Sequence, residues 1–307
     1  MTTSTTTAGT ATVAQRATGG PGRARPSLRF LRRSPLMTLG MFLVGLVVLA
    51  AVLAPWVGTR DPIQQNLALS NRPPMWQPRG TAQAPLGTDQ FGRDVWSRIV
   101  YGSQISLAIG TAASLIGGLV GVTAGLVAGF YGGKVDTIVM RIVDLNLAFP
   151  LILLALAIAA ILGPSLQNLI LVMALTTWMI YARVVRGITL SIREREFIQA
   201  ARAIGAVDTR IMFRHILPNL FAPVMVIWTL ELARVILMES ALSFLGVGVP
   251  PPTPTWGRML AEGRSVLTTA PWIATFPGIA ITLTVLGVNF FGDGLRDLLD
   301  PRLRKQT

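Results

Sequence analysis

Six apolar runs, each about the length of a bilayer crossing, constrain this chain more than any other feature. They lie near 36–57, 105–130, 145–163, 166–185, 219–247 and 273–292. A helix needs about 20 apolar residues to cross about 30 Å of hydrocarbon. Hydrophobic residues make up 51% of the chain and charged ones 13%, which is more apolar surface than a soluble domain could hide. The expectation is an all-α membrane protein with six transmembrane helices and the lipid bilayer as its solvent.

Charge then orients those helices. A net charge of +13 is compatible with nucleic-acid binding, yet the basic residues are spread along the chain without aromatic readers, so no nucleic-acid partner is expected. Basic residues are retained on the cytoplasmic side of a membrane. Arg16, Arg23, Arg25, Arg29, Arg32 and Arg33 precede the first run with no acid before Asp61, which predicts cytoplasmic N- and C-termini. Lys134, Arg141, the Arg193 to Arg214 cluster, Arg302, Arg304 and Lys305 then also lie inside. Arg60, Arg72, Arg79, Arg93 and Arg98 lie outside, in a loop long enough to tolerate them. The first run exceeds the usual signal-peptide core of about 7–15 residues and reads as a retained anchor.

The predicted organisation is a disordered basic cytoplasmic tail over 1–35, a first transmembrane helix over 36–57 and an extracellular loop over 58–104. A five-helix core over 105–293 and a cytoplasmic tail over 294–307 complete it. The first tail is Thr-, Ala-, Gly- and Pro-rich and cannot bury enough apolar area to fold; its arginines also suit anionic headgroups. Within the outer loop, Val95, Ile99 and Val100 predict a short helix at the membrane interface, with Asp94 and Arg98 as an i,i+4 pair. Trp256 and Trp272 suit an interfacial belt, and Pro250, Pro251, Pro252 and Pro254 predict a stiff outer segment that is either a docking rim or a plug. Gly117, Gly121, Gly125 and Gly129 recur every fourth residue and predict a face where another helix backbone approaches closely.

The cytoplasmic segment 186–218 looks folded. Glu196 to Ile204 favours helix with Phe197, Ala200, Ala201 and Ile204 on one face, and Gly205 stands where a left-handed cap ends it. Asp208 is a good N-cap for a second turn carrying Ile211, Met212 and Phe213 between Arg210 and Arg214. Pro218 suits the start of the next membrane helix. Pattern alone leaves two readings open, docking into a groove on a soluble partner and lying on anionic lipid.

Few residues invite chemistry. Gly132-Gly133-Lys134 lacks the Gly spacing and the hydroxyl of a phosphate loop, so ATP hydrolysis by this chain is not expected. His215 is the single histidine and cysteine is absent, so neither a metal site nor a cofactor is expected. Glu231, Arg234 and Glu239 are charges within a membrane run, and such groups face protein or water. Glu231 and Arg234 can pair at i,i+3. Glu239 either lines a translocation path or accepts hydrogen bonds from a neighbouring helix, the second being preferred.

Several motifs carry a family resemblance. Permeases of type I ABC importers share a segment of the form Glu-Ala-Ala, three residues, Gly, nine residues, Ile-x-Leu-Pro. This chain matches it at Ala200, Ala201, Gly205, Leu217 and Pro218. Gln199 replaces the glutamate and His215 the isoleucine, the latter as in the peptide-importer branch. Leu86 to Asp89, Gly92-Arg93-Asp94, Leu242 to Gly246, Pro251 to Pro254 and Gly292 to Asp297 resemble the C-type permease subunit of dipeptide and oligopeptide importers.

The resemblance implies a type I ABC importer permease fold in a bacterial cell membrane and a role importing di- or oligopeptides, or alternatively a nickel chelate. It also implies a homologous second permease, two cytoplasmic ATPases and an extracellular or periplasmic binding protein. Glu196, Gln199, Ala200, Ala201, Gly205, Asp208, Arg210, Ile211, Met212, Phe213, Arg214, His215 and Pro218 would form the coupling loop that fits one ATPase. The alternative class is a secondary transporter acting alone, which needs ion-relay residues on several helices where only one carries them.

Overall fold

The structure is a computed structural model that describes residues 35–299. The basic tail before Pro35 and Arg302, Arg304 and Lys305 lie outside the described residues. In chain order the helices are α1 (Pro35–Val52), α2 (Ala54–Val57), α3 (Val95–Tyr131), α4 (Gly133–Leu147), α5 (Leu151–Leu162) and α6 (Leu166–Arg193). They are followed by α7 (Glu196–Ala203), α8 (Asp208–Ile211), α9 (Leu217–Phe244), α10 (Trp256–Gly263) and α11 (Trp272–Leu299). Among the described residues, five continuous helical segments are long and apolar enough to cross a membrane, and six do so if α4 and α5, bent by 90°, are counted as one broken span.

Helix boundaries depart from the apolar runs where polar side chains find partners inside the bundle. Val95, Ile99 and Val100 do not form a helix separate from the membrane run. Val95, Ser97 and Arg98 are already buried in the first turns of α3, which runs unbroken for 37 residues. Asp94 does not pair with Arg98. Its carboxylate caps α3 by accepting from the Ser97 amide (2.8 Å) and hydroxyl (2.6 Å) and from the Thr59 hydroxyl (2.6 Å).

Lys134 and Arg141, which lie between two of the apolar runs, belong to helix α4, which meets α5 at 90°. Pro150 has no amide to continue α4 and disfavours helical geometry at the residue before it, so the chain turns there. Asp136 and Asp144 of α4 bond Arg186 and Arg183 of α6. With those partners α6 continues past the apolar run to Arg193, and the loop begins eight residues later than the sequence suggested. Likewise α11 runs on to Leu299, beyond the expected boundary at 293.

Proline also breaks the first span. Pro55 cannot donate to the Ala51 carbonyl, and Gln104 Nε2 of α3 does so at 2.7 Å. α1 otherwise packs on α11, and a side chain at Gly40 would meet the Phe291 nitrogen at 2.5 Å. The most extensive pairing in the bundle joins α3 to α6, and α9 packs among α3, α6, α10 and α11.

Candidate functional site

Arg193 ends α6 by reaching across to α3, where Nη1 donates to the carbonyls of Gly129 (3.3 Å) and Phe130 (3.1 Å). These are among the carbonyls that the end of α3 leaves without a helical partner. α7 begins with Glu196 in its first turn and ends with Arg202 in its last, both complementing the helix dipole. It stops in a Schellman arrangement, with Gly205 N donating to Arg202 O (2.9 Å) and Ala206 N to Ala201 O (3.0 Å). Gly205 sits at φ +80°, a conformation that any side chain would strain.

Asp208 is not the cap of the next helix. It is the first residue of α8, whose cap position is Val207, and there it still meets the dipole favourably. A π-helical turn, Met212–Ile216, joins α8 to α9, with the Leu217 amide bonding Met212 O five residues back. The wider turn precedes Pro218, which has no amide to offer.

The buried face of this loop differs from the predicted one. Ile198 and Ala201 of α7 pack with Ile211, Met212, Ile216 and Leu220 against Leu126, Phe130, Val185 and Ile192. Ile211, 0% exposed, and Met212 therefore belong to the chain's own core and are corrected as partner anchors. Phe197 and Ile204 leave that core: Ile204 is 86% exposed, and Phe213 beyond α8 is 63% exposed. Glu196, Gln199, Ala200, Arg210, Arg214 and Pro218 are also exposed, and His215 is half-buried. Gln199, at the family's carboxylate position, donates from Nε2 to Glu194 O (3.2 Å).

The result is a short rigid platform. An apolar base fixes it to α3 and α6, and its outer surface carries Phe197, Ile204, Val207 and Phe213 among charges. Phe213 also lines a groove of about 580 Å³ with Val122, Pro218 and Phe221. Covering one such side chain fully is worth about 1.5–3 kcal/mol, so this surface is suited to a partner.

Next to the platform, Gly117, Gly121, Gly125 and Gly129 face α6. A Cβ at Gly121 would lie 2.2 Å from Trp178 O and one at Gly125 2.5 Å from Ala182 O. Backbone cannot yield there, so only glycine permits the approach. In α9, Arg234 Nη1 lies 3.2 and 3.3 Å from the two Glu231 carboxylate oxygens.

Glu239 has the hydrogen-bonded surroundings preferred for it. It is 1% exposed, and Oε1 accepts from Ser243 (2.8 Å) and from Thr255 (3.0 Å), the cap of α10. That contact joins α9 to α10.

Sequence reasoning missed a cluster at the opposite end of the bundle. Asp89 Oδ2 accepts from Arg93 Nε (2.6 Å) and from Arg98 Nη1, while Glu262 Oε2 accepts from Arg93 Nη2 (2.8 Å) and Arg98 Nη1 (2.8 Å). Arg258 Nε reaches Glu262 Oε1 at 3.0 Å. Burial would raise the Glu262 carboxyl, but the guanidiniums of Arg98, Arg93 and Arg258 outweigh it and hold the group below its ordinary value. Trp272 and Trp256 are buried here instead of forming a belt, donating to the carbonyls of Thr88 (3.0 Å) and Ile99 (2.9 Å). The repeated Arg and Asp after Gly87 was the available signal, but it does not reveal Glu262 as their partner.

Residues 121–305 match the family model described as the binding-protein-dependent transport system inner membrane component. Residues 25–74 match the N-terminal transmembrane domain of oligopeptide transport permease C. The chain is 44% identical to a putative peptide transport system permease of Brucella abortus, over 91% of this chain and 92% of that protein. It is 44% identical to a dipeptide transport system permease of Alkalihalophilus pseudofirmus, over 91% and 90%. It is 44% identical to a glutathione transport system permease of Escherichia coli, over 90% and 89%. A chain of the methionine ABC transporter MetNI in an inward-facing form shares the fold at a TM-score of 0.56 and 20% identity, covering 66% of this chain and 96% of that one.

Proposed function

Because the chain belongs to the family of binding-protein-dependent transport system inner membrane components, we propose that it is one of two homologous permeases of a peptide importer. The Arg193 to Asn219 platform would couple it to one of two cytoplasmic ATPases. Exposed Phe213, Phe197 and Ile204 dock in the ATPase groove while Arg210 and Arg214 set the register. Glu196, Asp208 and the Gly205 cap hold the platform in shape. A binding protein delivers substrate to the opposite, extracellular end.

The single observation that carries this reading is the division of the platform into a base buried in the chain's own core and an apolar outer surface that nothing among the described residues covers. A loop serving only as a connector needs neither. ATP-driven closure of the ATPases would move the base with the platform and bias the pathway between inward-open and outward-open states, provided the contacts differ between those states. Coexpression of the chain with its ATPases and second permease tests this. Phe213→Asp is expected to release the ATPase in co-purification while the two permeases stay together. Retention of ATPase and of ATP-dependent dipeptide uptake by that variant would refute the docking role.

A further inference from the structure

We propose that Arg234 is a carboxylate-reading residue of the translocation path, taking the C-terminal carboxylate of a passing peptide; this rests on the importer reading above. Its place in the membrane carries the argument. Arg234 lies ten residues from the far end of α9 at Phe244, about 15 Å along the helix. A guanidinium at that depth facing lipid tails is costly, and a lipid headgroup does not reach it. It must therefore meet protein or water.

Its partner neutralises only one side of it. The Glu231 side chain is 6% exposed and the Arg234 side chain 34%. Only Nη1 contacts Glu231, and among the described residues Nε and Nη2 have no partner. The other acid of α9, Glu239, is turned into the α10 cap. The accessible charge on this helix is consequently cationic.

That charge opens on a groove of about 520 Å³ between α9 and the start of α5 at Pro150. Leu151, Leu237, Met238 and Ala241 supply apolar walls. This is the size range of small-ligand sites, which pair apolar walls with a few orienting polar groups. Low dielectric strengthens the attraction for an anion, and the free edge of a guanidinium suits a carboxylate. Glu231 keeps the empty site neutral overall, so a peptide carboxylate is held without being trapped.

The test uses the complete transporter in proteoliposomes, with its binding protein saturated by trialanine or by trialanine amide. Wild type is expected to move the free acid about tenfold faster than the amide. Arg234→Gln should bring the two rates together, and the double variant Glu231→Gln/Arg234→Gln, which leaves no buried unpaired carboxylate, should do the same. Arg234→Lys should keep part of the preference. An unchanged ratio in the double variant, or loss of the second permease from the complex, would overturn the carboxylate site alone. Failure of the wild-type complex to move either peptide would overturn the peptide reading and the site with it.

Discussion

At one end of the bundle, Asp89, Arg93, Arg98 and Glu262 are withdrawn from solvent and bonded to one another. At the other, Arg210, Arg214 and Glu196 stand in solvent while aliphatic groups hold the loop in place. Both regions are polar stretches of similar composition in the sequence. The difference follows from how many helices each must join. The outer cluster ties the loop before α3, the start of α3 and α10 together through charges that are specific in direction. The platform grows directly from α6 and α9 and needs only an apolar base, so its charges remain available. Fixed charge serves as a clamp at one end and as an address at the other.

The largest effect that separates the two ends comes from removing one buried acid. Glu262→Gln leaves Arg93 and Arg98 buried with half their compensation, and breaking such a pair costs about 3–5 kcal/mol. Arg210→Ala on the platform should stay within about 0.5 kcal/mol. Thermal unfolding of both variants in detergent measures the contrast. Equal, small shifts would mean that the outer cluster is no clamp.

Acid should weaken the clamp. Because the Glu262 carboxyl is held below its ordinary value of 4.5, its contribution to stability is present above that pH and is lost as pH falls through the lowered value. Unfolding scans between about pH 3 and 6 should show wild type losing stability with acid while Glu262→Gln changes less.

A smaller effect is expected at the platform's cap. Gly205→Ala must adopt φ +80° with a side chain present, costing about 1 kcal/mol. No heavy atom outside its chain neighbours lies within 4 Å of the added carbon, so strain and not collision is the cause. The chain should fold, with hydrogen exchange faster in α7. Smallest of all for stability is Phe213→Ala, within about 0.5 kcal/mol, although ATP hydrolysis in the complex should lose its response to loaded binding protein.

Local signals were legible in the sequence and tertiary ones were not. The α7 helix and its Gly205 cap depend on neighbours in the chain, and so does the register of Gly117, Gly121, Gly125 and Gly129; each could be read directly. Which face of α7 turns inward depends on Leu126 and Phe130 of α3, so Ile198 was overlooked and Phe197 chosen. Arg186 and Arg193 look like loop residues until Asp136 and the α3 carbonyls receive them. Asp89 and Glu262 meet only because α10 packs beside the start of α3, a proximity that no local pattern encodes. The hydrogen-bonding role preferred for Glu239 could be read from its type and place in the helix, but its partner Thr255, beyond the helix end, could not.

The most direct test of the coupling claim is photo-crosslinking in the assembled transporter, with a photoreactive amino acid placed at position 213 and, for comparison, at position 76, an exposed site in the loop before α3. The account predicts a crosslink to the ATPase from position 213 and none from position 76. A complex that transports peptide yet gives no ATPase crosslink from position 213 would contradict it.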